Sequence, residues 1–213
     1  MTSGTEEEQL AQIKDWWQRN GKPLLLGGIL ALVLVFGWQF WQKHQLNQAH
    51  NASAVYQQLL NAALNEGAVD NAEVSRLGNL LQKEFAGTQY AQYGSLFVAK
   101  VAVESGRLDE AATELRSVLD KPADKTLEEL ARQRLARILA AQDKAEEGLA
   151  LLQGEALEAF AASREELRGD LLVRLGRYDE AHAAYTKAKE VLSQDAAIGG
   201  LQLKLDDLAR GEA

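Results

Sequence analysis

Very few side chains in this sequence are candidates for chemistry. It contains three histidines, His44, His50 and His182, and no cysteine. A helical histidine pair that grips a metal ion needs i, i+4 spacing to share one face. His44 and His50 are six residues apart, and His182 is remote from both. Without cysteine there is no thiolate nucleophile, thiolate metal ligand or disulfide. The adjacent acidic pairs are Asp109-Glu110, Asp179-Glu180 and Asp206-Asp207. The first two open helical segments, where carboxylates complement the positive end of the helix dipole. The third reads as a solvated face. Gly27-Gly28 lies inside an apolar run and makes no phosphate loop. The sequence offers no catalytic residue, no cofactor-binding residue and no metal ligand, so the expectation is a protein that is not an enzyme and carries no cofactor.

Charge and composition narrow the remaining classes. There are 23 basic and 31 acidic residues, a net charge of −8. Nucleic-acid binding would draw its affinity from Lys and Arg on phosphates, so no nucleic-acid partner is expected. The chain holds 34 Ala and 35 Leu. Both lose little on entering a helix. No alternating apolar segment bounded by turns reads as a strand. The expected fold class is all-α.

The elements that would position a binding surface begin with an apolar run. Residues 23–42, from Pro23 to Gln42, carry no formal charge over 20 positions. As helix they span about 30 Å, the thickness of a bilayer's hydrocarbon core. The six Leu, one Ile, two Val and one Phe between Leu24 and Phe36 favour insertion by about 3–6 kcal/mol. All four tryptophans flank the run: Trp16 and Trp17 before it, Trp38 and Trp41 near its end, as in interfacial belts. A cleaved signal peptide is the rival reading, with Ala52-Ser53-Ala54 as its small-x-small site. That site lies beyond Trp41 by more than ten residues, and the run exceeds a signal peptide's apolar region of about 7–15 residues. Lys14, Arg19 and Lys22 precede the span, and only Lys43 follows it before Arg76. Lys/Arg excess marks the inner side, which places the N-terminus in the cytoplasm and the remainder in the periplasm of a bacterial inner membrane.

Residues 1–22 form a cytosolic amphipathic segment. Thr5 and Glu8 have capping-box spacing, Leu10, Ile13, Trp16 and Trp17 repeat at helical spacing, and Asn20-Gly21 is a stop signal. Its apolar face would meet lipid headgroups or a partner. Residues 43–213 form the outward domain, which is free to begin as a continuation of the spanning helix to about residue 65, since no Gly or Pro intervenes from Trp38 to Glu66.

That domain alternates helical segments with short breaks. Expected helices cover Asn71–Phe85, Tyr90–Ser105, Leu108–Leu119, Leu127–Gln142, Ala145–Leu152, Leu157–Leu175, Tyr178–Leu192 and roughly Ala196–Ala209. One hexapeptide recurs. Gly106-Arg107-Leu108-Asp109-Glu110-Ala111 and Gly176-Arg177-Tyr178-Asp179-Glu180-Ala181 are 70 residues apart, with a degenerate copy at Asp143–Gly148 between them. Gly169 precedes the last copy by seven residues, and Tyr185 and Ala188 follow it. This resembles the tetratricopeptide repeat, in which small residues let two helices approach and aromatics fill the gap to the next pair. Ala99 and Ala136 stand where the other copies would have Gly169. The expected architecture is a single transmembrane helix followed by a tetratricopeptide-like solenoid, with Gly106, Ala111, Gly169, Gly176, Tyr178, Ala181 and Tyr185 as packing positions.

Stacked repeats present a concave surface lined by the first helix of each pair. The repeat pattern places Tyr93, Lys100 and Glu104 there from the first copy, Gln133 and Arg137 from the second, and Glu166, Asp170 and Arg174 from the third. A solvated face is the alternative reading of each. Mixed charge signs argue against a clamp for a peptide's terminal carboxylate.

The N-terminal half carries a more specific resemblance. Glu6-Glu7-Glu8-Gln9-Leu10, Lys14-x-Trp16-Trp17, Asn20-Gly21-Lys22, the apolar span, Gly37-Trp38-x-x-Trp41 and Ala52-Ser53-x-x-Tyr56, followed by helical repeats, look like the YfgM family. The resemblance implies a single-pass inner-membrane protein acting as an ancillary subunit of the SecYEG translocon. It also implies association with PpiD, a membrane-anchored periplasmic chaperone. Unfolded client segments remain open as further occupants of the repeats. The alternative is a scaffold or regulator of an envelope stress response that acts through its cytosolic segment.

Pro23, Leu32, Trp38 and Trp41 define the anchor. Leu32→Arg, at mid-span, is expected to cost about 3 kcal/mol of insertion free energy. Carbonate extraction of membranes tests this: the variant should be released in part, and full retention would contradict the span.

Overall fold

The computed structural model describes residues 3–64, 70–192 and 199–211, with side chains from Leu10 onward except at 12, 24, 199, 210 and 211. Among the described residues every regular element is helical. The chain divides into two compact units, Met1–His50 and Asn51–Ala213.

Helix α1, Ser3–Ala63, supplies the first unit and the opening of the second. Within the first unit it passes through Asn20-Gly21, where a stop was expected. The side chain of Asn20 donates to the Trp16 carbonyl at 3.1 Å, and Gly21 lies beneath the Trp17 ring. A helix can run through such a pair when the polar side chain bonds inside the preceding turn. Pro23 also lies within α1. The Thr5–Glu8 cap lies outside the described side chains. Leu25, Ile29, Leu32, Val35, Phe36, Trp38 and Trp41 are all more than half exposed. An apolar surface that long is unstable in water and stable in lipid. Trp38 and Trp41 stack at 5.3 Å between ring centroids.

In the second unit α2 (Asn71–Glu84), α3 (Gln89–Glu104), α4 (Leu108–Asp120), α5 (Lys125–Ala141), α6 (Ala145–Leu151), α7 (Ala161–Arg174), α8 (Tyr178–Val191) and α9 (Gly199–Gly211) follow in order. A short 3-10 turn, Glu158–Phe160, precedes α7 where the sequence suggested a longer helix from Leu157. Asp70, Thr88 and Asp124 cap α2, α3 and α5 by accepting from backbone N–H groups. The residues 193–198, where the last expected helix was to begin, lie outside the described set.

Helices pack chiefly on their chain neighbours, so the core is a row of three clusters. Ala52 and Leu59 join Val74, Leu77 and Leu81; Leu96 and Ala99 join Leu115, Leu135 and Leu139; Leu149 and Leu152 join Leu171, Tyr185, Leu201 and Leu205.

The recurring hexapeptide is one backbone device used three times. Gly106, Asp143 and Gly176 have φ of +73°, +62° and +72°. At each, the next residue's N–H reaches back five positions: Arg107 to Ala102, Lys144 to Leu139 and Arg177 to Leu172, at 2.8–2.9 Å. This is the Schellman closure of a helix end. Acidic residues then open the next helix, at Asp109-Glu110, Glu146-Glu147 and Asp179-Glu180.

The departures from the repeat pattern compensate one another. A methyl group on Gly169 would lie 2.2 Å from the Tyr185 ring. Copies one and two place Leu115 and Leu152 at the Tyr185 position, each 1% exposed, and tolerate Ala99 and Ala136 at the Gly169 position. A large aromatic demands glycine opposite; a leucine leaves room for alanine.

A buried ion pair is among the polar contacts that join the repeats. Arg164 on α7 makes a bidentate, fully buried ion pair with Glu129 on α5, donating from Nε at 2.9 Å and from a terminal nitrogen to the other carboxylate oxygen. Arg164 also reaches the carbonyls of Gln153 and Gly154, at 3.5 and 3.3 Å, and so ties down the segment between α6 and α7. Gln133 adds a bond to Glu129 at 2.9 Å and accepts one from Ser163 at 3.1 Å. Burial alone would raise the Glu129 carboxyl, but the bonds from Arg164 and Gln133 outweigh it and hold the carboxyl below its ordinary range.

Gly169→Ala is expected to destabilise the protein by about 1–3 kcal/mol through overpacking. Adding Tyr185→Leu should restore at least half of the loss, read as recovery of the urea midpoint; purely additive losses would refute the compensation. Arg164→Met should cost about 3–5 kcal/mol at neutral pH by orphaning Glu129. The native pair contributes fully above the unfolded carboxyl value of about 4.3 and loses its contribution as pH falls through the lower folded value. In the variant the orphaned carboxyl is eased by protonation. Urea titrations across pH should therefore show the deficit shrinking toward acid, and a deficit independent of pH would count against the assignment.

Candidate protein-binding site

The second unit carries an open cleft of about 320 Å³ between α3, α4 and α5. Leu96, Ala99, Val103, Leu115 and Ile138 make an apolar floor, and Lys100, Glu104, Arg134 and Arg137 stand around it. The floor exists because helical spacing turns Ala99 and Val103 of α3 toward the same side as Ile138 of α5. Val103 is 42% exposed although its neighbours Val101 and Ala102 are buried. Lys100 pairs with Glu104 one turn on, at 2.5 Å.

Three of the eight residues assigned by the repeat pattern to the concave face meet at this cleft: Lys100, Glu104 and Arg137. The others lie elsewhere. Tyr93 is half-buried in an aromatic group, with its ring 5.6 Å from Tyr56 and 6.2 Å from Tyr90; Tyr56 is also 6.2 Å from Phe97. Burial, and then the neighbouring Tyr93 and Tyr90, push the Tyr56 phenol up. Gln133 is buried, bonded to Glu129 and Ser163. Arg174 pairs with Asp143 of the preceding turn at 2.9 Å.

Glu166 and Asp170 are engaged by α9. Lys204 bonds Glu166 at 2.7 Å and Asp170 at 2.5 Å, and its ammonium stands 5.5 Å from the centroid of the Tyr185 ring. Tyr185 donates its hydroxyl to Asp170 at 2.8 Å. Partial burial would lower the Lys204 ammonium, but the bonds it donates to Asp170 and Glu166 raise it above its usual range. Burial and Asp170 together drive the Tyr185 phenol well upward. With Leu201 and Leu205 in the adjoining core cluster, α9 covers this end of the repeats.

Packing positions fall at helix contacts. Ala111 and Ala181 are fully buried, Gly169 faces Tyr185, and Gly106 and Gly176 take the left-handed turn. Tyr178 stays half exposed at the start of α8. In the anchor, Pro23 is exposed with Leu32, Trp38 and Trp41.

Arg134 escaped the sequence reading, as did the floor residues Leu96, Val103 and Ile138. The available signal was the Arg134–Arg137 pair, two like charges one turn apart on a helix whose other face is apolar. Partial desolvation in the cleft, and then the charge of Arg137, draw the Arg134 guanidinium below its ordinary range, although much of the residue remains solvent-accessible. Among the described residues no three His, Asp or Glu side chains are grouped as a metal ion requires. His44 and His182 are exposed on α1 and α8. The cleft can hold apolar side chains and anions; it has no nucleophile–base pair.

Comparison with known proteins follows the same lines. A profile for the tetratricopeptide repeat-like domain matches residues 14–210. A protein of Haemophilus influenzae named ancillary SecYEG translocon subunit is 30% identical over 89% of this chain and 91% of its own. Proteins with that name from Escherichia coli and Neisseria gonorrhoeae are 29% and 31% identical, each over 97% of its own length and 96% and 95% of this chain. The chain belongs to the tetratricopeptide repeat-like domain family, within the group whose curated relatives bear the name ancillary SecYEG translocon subunit.

Proposed function

We propose that this protein is a membrane-anchored, non-catalytic subunit associated with the SecYEG translocon, and that its repeats recruit protein partners there. The observation that carries this reading is the likeness at about 30% identity to translocon subunits over both the apolar helix and the repeats. The anchor would be α1, whose apolar stretch is long enough to cross a bilayer and whose most apolar window has none of its residues buried. Its N-terminal side would face the cytoplasm, because Lys14, Arg19 and Lys22 precede the apolar run and only Lys43 closely follows it. The repeats would then stand in the periplasm.

There the cleft of α3 and α5 supplies an apolar floor and a charged edge, the pattern of a surface that takes part of another protein. A PpiD-like membrane-anchored chaperone is the partner we assign to it, with unfolded client segments as a further occupant. Both Trp-flanked faces of α1 suit the lipid bilayer. Leu10, Ile13, Trp16 and Trp17 are at least half exposed and would rest at the inner headgroups. The same face would be the docking element if the protein were instead a regulator acting through its cytosolic segment.

Tagged full-length protein purified from membranes in mild detergent should carry the SecYEG channel and a periplasmic chaperone. Deletion of residues 1–20 should leave the chaperone in place. Recovery of a cytosolic regulator without the channel, lost on that deletion, would refute the reading.

A further inference from the structure

The protein is acidic overall, at −8, yet the exposed charge without a counter-ion on the cleft is basic. Lys100 is neutralised by Glu104. Among the described residues, neither Arg134 nor Arg137 forms an ion pair, although ion pairs tie Arg132 to Glu128, Arg164 to Glu129 and Arg168 to Glu165 close by. The two guanidiniums sit one helical turn apart and repel each other above an apolar floor. Both are exposed, so their repulsion stabilises nothing within the fold. Held beside a low-dielectric wall, they would gain from an anion more than fully hydrated arginines do.

The floor sets the rest of the ligand. Five apolar side chains line a cleft of about 320 Å³, too apolar to be covered by a free inorganic anion. Its size is at the small end of ligand pockets, room for one or two side chains rather than a folded surface. The occupant therefore couples an apolar group to a carboxylate at short range.

Resting on the reading of the repeats as a recruitment surface, we infer that this cleft binds a partner's peptide segment in which a carboxylate side chain lies beside a leucine- or valine-sized side chain. The apolar group would sit on Val103, Leu96 and Ile138, and the carboxylate on Arg134 and Arg137. Acidic-apolar segments would be chosen over neutral or basic ones.

The test uses the full chain in phosphatidylcholine nanodiscs. Three fluorescein-labelled, acetyl- and amide-capped peptides serve as probes: Leu-Glu-Ala-Leu-Glu, its Glu→Gln form and its Leu→Ser form. Fluorescence anisotropy should show the parent peptide binding about tenfold or more tightly than either control, the size of one charge-assisted contact. Arg134→Gln/Arg137→Gln should erase the advantage of Glu over Gln without shifting the melting temperature, since neither arginine has an acidic partner to lose. Val103→Ser should weaken the parent peptide and leave the Leu→Ser form unaffected. Absence of parent binding, equal binding of the three peptides, or unchanged binding to the double arginine variant would overturn the inference. So would arginine-dependent binding of phosphatidylglycerol vesicles with no peptide preference, which would assign the cleft to lipid. Co-purification of the channel with the unmodified protein is scored separately. Its presence alongside failed peptide binding removes only this inference, and its absence removes the recruitment reading itself.

Discussion

Close approach of helix backbones at small residues is the constraint on which the repeat domain rests. Gly148 shows it most directly: a methyl group there would meet the Ala136 carbonyl at 2.8 Å. Gly78 is equally confined, with a prospective methyl 2.4 Å from Val98, and Gly94 lies against the Gly78 carbonyl. Each contact sets the distance between two helices, and the distance decides how large the facing side chain can be. Tyr185 and Gly169 are one solution; Leu115 with Ala99 is another. The second leaves Ala99 and Leu115 at the floor of the cleft. The cleft is thus a by-product of which solution the first repeat adopted.

Much of this was legible in the sequence. The three hexapeptides marked three repeat turns, and all three take a positive φ, even the degenerate copy with Asp143 in place of glycine. Aspartate tolerates that region better than most residues. Helix order and most boundaries followed from periodicity and from breaks such as Gly106 and Gly176. What periodicity cannot supply is a contact made across long sequence separation. Arg164 and Glu129 are 35 residues apart, and each looks like an ordinary charged helix residue until the fold buries both. Lys204 likewise gave no sign that it would engage Glu166 and Asp170, which the repeat pattern had left on an open face. Register alone placed Tyr93 on the concave face, and gave no sign that its ring would pack 5.6 Å from the Tyr56 ring of α1. At Asn20-Gly21 the local stop signal was real in composition but was overridden by bonds within the helix.

The two ends of the molecule solve opposite solvation problems. The most apolar window of α1 has no buried residue and is long enough to cross a bilayer. The repeat domain gathers its buried apolar residues into three clusters, and α3, α5 and α7 end in Schellman-closed turns. α9 lays Leu201 and Leu205 on the cluster of α7 and α8, and Lys204 on the carboxylates beside it. Among the described residues no helix lies across the α3–α5 cleft in this way, and its apolar floor and basic edge stay open.

The most direct measurement of the proposed recruitment is site-specific photo-crosslinking in intact membranes, with benzoylphenylalanine placed at Val103 in the cleft and, in a separate strain, at Ala183 on the exposed side of α8. The account predicts strong, discrete protein adducts from Val103 and few from Ala183. Equal adducts from both positions, or adducts from Ala183 alone, would contradict it.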